Sequence, residues 1–247
     1  MKGVASAEWA AFLGEVKEAK RKISGSGPIW FRGQSDAGYD LYPSLLRYSN
    51  GLGKEQYLFN NFRKFAERVF TRRESEWETL FDMQHYLVPT RLLDWSETFG
   101  IALFFAAFYN SSQNDAALYL LNPIKLNEAS GISEIYVIPK DEGRYSYSKI
   151  YWEHVPFFPR APIAIEPIFI NSRMSAQRGV FTVYNDSTKP IEKEFPDAIS
   201  KIILHRELIP AAREFLELSN INEFSVFPDL GGISNFLKST SGLIMRS

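Results

Sequence analysis

A chain of 247 residues that is 45% hydrophobic and 15% aromatic can bury one sizeable core. A single domain over residues 1–247 is therefore expected, helical over about 1–110 and strand-rich over about 111–247. Its 28 basic and 29 acidic residues nearly cancel, which excludes a protein that holds long nucleic acid mainly by a blanket of positive charge. The absence of cysteine excludes disulfides, thiol nucleophiles and thiolate metal sites.

The opening stretch carries Lys2 and Glu8 and lacks a secretion pattern. The longest apolar run, Ile101 to Tyr109, is about half of the ~20 residues that span a bilayer, so a cytoplasmic protein with no membrane partner is expected. Ser6 is placed to cap a first helix to about Lys22, because Trp9, Phe12 and Val16 recur on one helical face. After the breaker Ser24-Gly25-Ser26-Gly27-Pro28, the run Ile29 to Gln34 reads as a short buried strand ending in polar residues. Tyr57, Phe62, Phe65, Val69 and Phe70 predict a long amphipathic helix from Gly53 to about Phe81, with a break near Thr71. Pro89 and the segment Thr90 to Trp95 lead as a loop into an apolar helix from Phe99 to Tyr109 that crosses the core. Strands are predicted at Ala116–Leu121, Ser133–Ile138, Ile163–Ile170, Gly179–Tyr184 and Ala198–Leu204. A late helix from Ser200 or His205 to Leu218 follows, with Pro210 in its first turn. Strands in succession without regular helical crossovers define an α+β class with a mainly antiparallel sheet flanked by helices.

Three polar motifs stand out. In Trp30-Phe31-Arg32-Gly33-Gln34, an arginine on a strand followed by glycine can offer its fork of donors to a phosphate or carboxylate; the alternative is a structural arginine paired with a buried acid. Arg47, further along, reads as an exposed residue. In Gln84 to Ser96, His85, Tyr86, Thr90, Arg91, Asp94 and Trp95 crowd ahead of the buried helix. Asp94 or Ser96 can cap that helix while Arg91 pairs with Asp94 or Glu97, or Arg91 and the helix-start donors form an anion pocket with Trp95 or Tyr86 as a flat face for a ring. In Asn171 to Thr182, a polar turn carries Arg173, Gln177 and Arg178 into a strand. Gln177 can recognise an amide or a base edge, or it can simply fix the turn. His85, His154 and His205 lack metal-binding spacing, so no metal is expected.

With these motifs the chain resembles the FRG domain, a bacterial family named for the triplet present here as Phe31-Arg32-Gly33. The resemblance continues through Tyr42 to Arg47, Gln84 to Trp95, Ala102 to Ala106, Arg173 with Gln177, Gly179 to Thr182 and Phe227 to Gly232. One stretch departs: Leu87-Val88 stand where the family pattern has a glycine before the proline, and the loop there is expected to turn differently. The pattern is also similar to that of ADP-ribosyltransferase-like folds, an analogy at the level of fold. It implies NAD as substrate, with Arg32 on the pyrophosphate, Arg91 assisting, Tyr86 or Trp95 stacked on the nicotinamide, and Gln177, Asp94 or Asp229 facing the ribose. On this reading Arg32, His85, Arg91, Asp94 and Gln177 carry the chemistry, while Arg32, Gln34, Tyr86, Thr90, Arg91, Trp95 and Arg173 hold the dinucleotide. The implied function is an ADP-ribosyltransferase or NAD hydrolase serving as a toxin or phage-defence effector. The alternative is a non-catalytic module for a nucleotide or nucleic acid, and a target protein is a further partner to consider. A nuclease is disfavoured because no close carboxylate cluster for magnesium is evident.

Overall fold

The computed structural model describes residues 3–25, 27–69, 75–110, 113–138, 146–156, 158–168 and 171–242. In chain order the elements are α1 (Ala7–Ser24), β1 (Trp30–Gln34), a 3-10 turn (Ser44–Arg47), α2 (Gly51–Ala66), α3 (Glu76–His85), β2 (Leu92–Ser96), α4 (Phe99–Ala107), β3 (Ala116–Leu121), α5 (Pro123–Glu128) and β4 (Tyr136–Val137). There follow α6 (Tyr147–Tyr151), β5 (Ile163–Glu166), α7 (Ser172–Gln177), β6 (Gly179–Val183), α8 (Ile191–Glu194), β7 (Ile199–Leu204), a second 3-10 turn (Arg206–Leu208), α9 (Ile209–Leu218), α10 (Glu223–Val226) and α11 (Leu230–Thr240).

The strands form one seven-stranded sheet in the order β4-β5-β6-β2-β1-β3-β7, antiparallel throughout except for the β4–β5 pair. This is the mainly antiparallel α+β arrangement expected from the succession of strands. Strands from the helix-rich first half, β1 and β2, sit at its centre, so both halves of the chain build the same sheet.

Local chemistry explains most of the boundaries. Ser6 caps α1 by accepting from Trp9 N at 3.2 Å, and Trp9, Phe12, Val16 and Ile23 bury the face that the periodicity predicts. The predicted long helix is two: α2 ends at Ala66, and Ser75 opens α3 with a reciprocal capping box to Glu78. The expected break at Thr71 lies outside the described residues. The segment expected as a loop before α4 is strand β2. Leu92, Leu93, Trp95 and Ser96 are buried because the strand runs through the middle of the sheet with packing on both faces, which removes the alternation that marks a strand. Ser96 does not cap α4 at its N-cap position, which Thr98 holds, but its hydroxyl accepts from Thr98 N at 3.0 Å. The polar stretch after Asn171 is a short helix rather than a turn. The Asn171 side chain accepts from Met174 N at 2.8 Å and so starts α7, and Arg178 ends it in the left-handed region.

Helices α1, α4 and α9 cover one face of the sheet around Phe31, Leu118, Leu120 and Ile202. A second cluster joins α2, α3 and α6 to Leu92, Ile163, Ile165 and Phe181, and a third packs Trp30, Leu93, Trp95, Tyr119 and Tyr184. Helix α4 meets β1 so closely that a Cβ on Gly33 would lie 1.8 Å from the Ala102 carbonyl oxygen and 2.7 Å from the Ala106 nitrogen. Backbone cannot retreat as a flexible side chain can. Gly33→Ala is expected to destabilise the protein by at least ~2–3 kcal/mol, read as a lower urea midpoint.

Candidate functional site

The sheet is nearly divided at its centre. Strand β1 pairs with β3 over Trp30–Gln34, and β2 pairs with β6 over its whole length, but β1 and β2 meet at the single pair Phe31–Ser96. Beyond that pair the Arg32 side chain reaches across. Its Nη1 donates to the Asp94 carbonyl oxygen at 2.6 Å and lies 3.9 Å from Asp94 Oδ2. A cleft of about 220 Å³ opens here, with Phe31, Phe81, Trp95, Phe105 and Phe181 among its walls. Its polar lining is Arg32, Gln84, His85, Asp94, Ser96, Arg173 and Gln177.

Arg32 is short of counter-charge. Burial lowers its pKa, Asp94 opposes that effect, and Arg47 adds to it. Its Nε is buried with no hydrogen-bond partner among the described residues. A guanidinium with an unused donor beside a cleft is suited to an anionic guest. Arg47, as expected, is exposed. Across the gap, Asp94 is about half exposed (54%), and its Oδ2 accepts from Gln84 Nε2 at 2.7 Å.

His85 ends α3 and lines the cleft. Burial lowers its pKa and the positive charge of Arg173 lowers it further, so the ring is neutral at neutral pH and can accept a proton. Arg173→Gln is expected to raise the His85 pKa without restoring the ordinary imidazole value, because burial, the larger cause, remains. Following the ring carbon protons by NMR across pH measures this. Arg173 lies over the Phe227 ring, 4.5 Å from its centroid, and Gln177 Nε2 donates to the Val226 carbonyl at 3.2 Å. The segment around α10 therefore steadies the α7 side of the cleft.

The other expected contributors, Trp95 in the cleft wall excepted, are elsewhere. Arg91 does not reach the cleft and pairs with neither Asp94 nor Glu97. It is buried, its Nε and Nη2 donate to Glu55 at 2.8 Å each, and its Nη1 donates to Asp186 at 2.6 Å. Its charge is thus already spent on two acids. Burial disfavours that charge, yet the Glu55 and Asp186 hydrogen bonds prevail and hold its pKa above the usual arginine value. Gln34 is buried on β1 outside the cleft lining. Tyr86 is exposed and meets the His85 ring edge-on, with centroids 4.7 Å apart. Trp95 is buried with Nε1 donating to Thr182 Oγ1 at 3.1 Å, so it forms a wall rather than a free stacking face. Thr90 is buried behind Gln84, and Asp229 caps α11 by accepting from Gly232 N at 2.9 Å. Leu87, in the Leu87-Val88 stretch before Pro89, adopts φ 62°, the left-handed region that glycine favours. Leu87 lines the cleft and is 84% exposed.

Two residues were missed as contributors. Gln84 stood in the second motif beside His85, and that position was its signal. Glu55 gave none, since it looks like any charge on the amphipathic helix α2.

The FRG domain family model matches residues 27–115. No curated protein and no solved structure matches the chain. The matched stretch supplies Arg32, Gln84, His85 and Asp94, while Arg173 and Gln177 come from beyond it. Among the described residues no group of three or more His, Asp or Glu could hold a metal ion, and no helix is long and apolar enough to cross a membrane.

Proposed function

We propose that the cleft binds NAD and that the protein is an ADP-ribosyltransferase or NAD hydrolase. The observation that carries this reading is Arg32, an under-neutralised arginine with an unused buried donor, facing the half-exposed carboxylate of Asp94 across the gap in the sheet. A cleft of about 220 Å³ is smaller than the ~300–1,000 Å³ usual for whole ligands, which suits the nicotinamide-ribose end, with the phosphates outside against Arg32. Phe81, Phe105 and Phe181 offer the apolar surroundings that an aromatic ring needs.

In this reading the bond between ribose C1′ and the nicotinamide nitrogen breaks, and its electron pair leaves with nicotinamide. The Asp94 carboxylate stabilises the positive charge left on the sugar. A water or an acceptor hydroxyl then bonds to C1′, and neutral His85 takes its proton. A toxin or phage-defence role follows from the same reading, since an enzyme that consumes NAD harms the cell holding it.

The test is to incubate the protein with NAD and follow nicotinamide release. Release by the wild type that Arg32→Ala sharply lowers supports the reading, and equal release by both removes it. A non-catalytic nucleotide-binding module is the second reading, favoured by the exposed ring of Tyr86 beside His85. Calorimetry that finds nucleotide binding at low salt without nicotinamide release would select it.

A further inference from the structure

We infer that Thr90 and Gln84 are positioning residues that hold the Asp94 carboxylate in its working orientation, an inference that rests on the proposed role of Asp94 at the ribose. The chain of contacts begins at the backbone. Leu92 N donates to Thr90 Oγ1 at 3.0 Å, which fixes the position of the hydroxyl while its proton remains to be given away. The hydroxyl gives it to Gln84 Oε1 at 2.6 Å. With its oxygen so engaged, the Gln84 amide has only its nitrogen end for Asp94, and Nε2 donates to Oδ2 at 2.7 Å. A carboxylate only accepts, so Asp94 must meet the nitrogen end of the amide, and the Thr90 hydroxyl grips the oxygen end and holds the whole amide in that place.

Thr90 is itself pinned. Its backbone N–H donates to Ser44 Oγ at 3.1 Å, its carbonyl accepts from Leu45 N at 3.1 Å, and its side chain is buried. The relay therefore runs from a fixed, buried hydroxyl to a carboxylate that is otherwise half in solvent. An aspartate so placed would ordinarily spread over several rotamers. Gln84 takes Oδ2 and leaves Oδ1 to act on the sugar, so the orientation is set before substrate arrives. Neither Thr90 nor Gln84 needs to touch substrate for this, and Thr90 lies outside the cleft lining altogether.

The experiment compares Thr90→Val, Thr90→Ser and Gln84→Glu with the wild type. Nicotinamide release is measured at varied NAD, alongside the Gln84 side-chain amide signals in ¹⁵N-labelled protein. Valine keeps the shape of threonine and loses the hydroxyl, serine keeps the hydroxyl, and Gln84→Glu puts an acceptor where Asp94 needs a donor. The expected result for Thr90→Val is a fall in kcat on the order of 10- to 100-fold with KM moved less than about 2-fold. Its Gln84 amide signals move toward those of a free glutamine. Thr90→Ser recovers most of both, and Gln84→Glu loses at least as much kcat as Thr90→Val. A Thr90→Val enzyme with unchanged kcat despite altered Gln84 signals overturns the inference, and so does a KM-only effect. Should Thr90→Val fail to fold, full kcat in Gln84→Glu overturns it equally. A wild type that releases no nicotinamide defeats the NAD reading instead. The positioning is then judged by the amide signals alone, and it falls if they are those of a free glutamine or are indifferent to Thr90→Val.

Discussion

Arg32→Ala is expected to lower kcat/KM for nicotinamide release from NAD by roughly 100-fold, since truncating one partner of a desolvated charge contact costs ~2–5 kcal/mol. Arg32→Lys recovers only part of this. A lysine ammonium keeps the charge but cannot donate to the Asp94 carbonyl and to a phosphate from one rigid fork, and the Asp94 carbonyl is where β1 and β2 have already parted. Steady-state kinetics with both variants checks the prediction. Thermal unfolding run in parallel separates lost binding from a loosened sheet centre, because Arg32 also bridges the two strands.

The largest loss of stability is expected at Glu55. Its carboxylate accepts from Arg91 Nε and Nη2, from the Tyr147 hydroxyl and from Trp152 Nε1, and both members of the ion pair are about 95% shielded from solvent. Burial, and then the nearby Glu55 charge, push the Tyr147 hydroxyl far above its ordinary pKa, so it stays protonated and donates. Glu55→Ala leaves a buried guanidinium with only Asp186 as its acid and is expected to cost about 3–5 kcal/mol. For a chain of this size that is a fall of roughly 6–20 °C in Tm. The double variant Glu55→Leu with Arg91→Met removes both charges and is expected to recover part of the loss, since the Tyr147 hydroxyl and Trp152 Nε1 still lose their acceptor; differential scanning calorimetry on the single and double variants measures this.

How legible all this was in the sequence depended on the range of the forces involved. Ser6, Trp9, Phe12 and Val16 announce α1 because cap and apolar stripe lie within a few turns of each other. The run from Phe99 announces α4 because nothing but a core suits it. Strand β2 was hidden because a strand covered on both faces loses its alternation, and Pro89 with the mixed polar residues after it read as a loop leading into α4. Helix α7 was hidden by its brevity and polarity, which a turn shares. At the site, the order of polar motifs and the resemblance pointed to Arg32, His85, Asp94, Arg173 and Gln177, and all five line the cleft. Arg91 was misplaced for a physical reason. Its acids were sought nearby at Asp94 and Glu97, whereas the acids that hold it, Glu55 and Asp186, are supplied by folding from far along the chain in both directions.

The single Phe31–Ser96 pairing bears on how the chain can be cut. Within residues 27–115 the two strands touch at that one point, while their long ladders run to β3 and β6, both past residue 115. A fragment trimmed to the family match would present bare backbone on both strands to any neighbouring molecule and would leave Arg173 and Gln177 behind. The cleft walls and both ladders need the chain from Trp30 to Val183, and β3 in turn needs β7 along its other edge, so the unit that cannot be trimmed reaches at least Leu204.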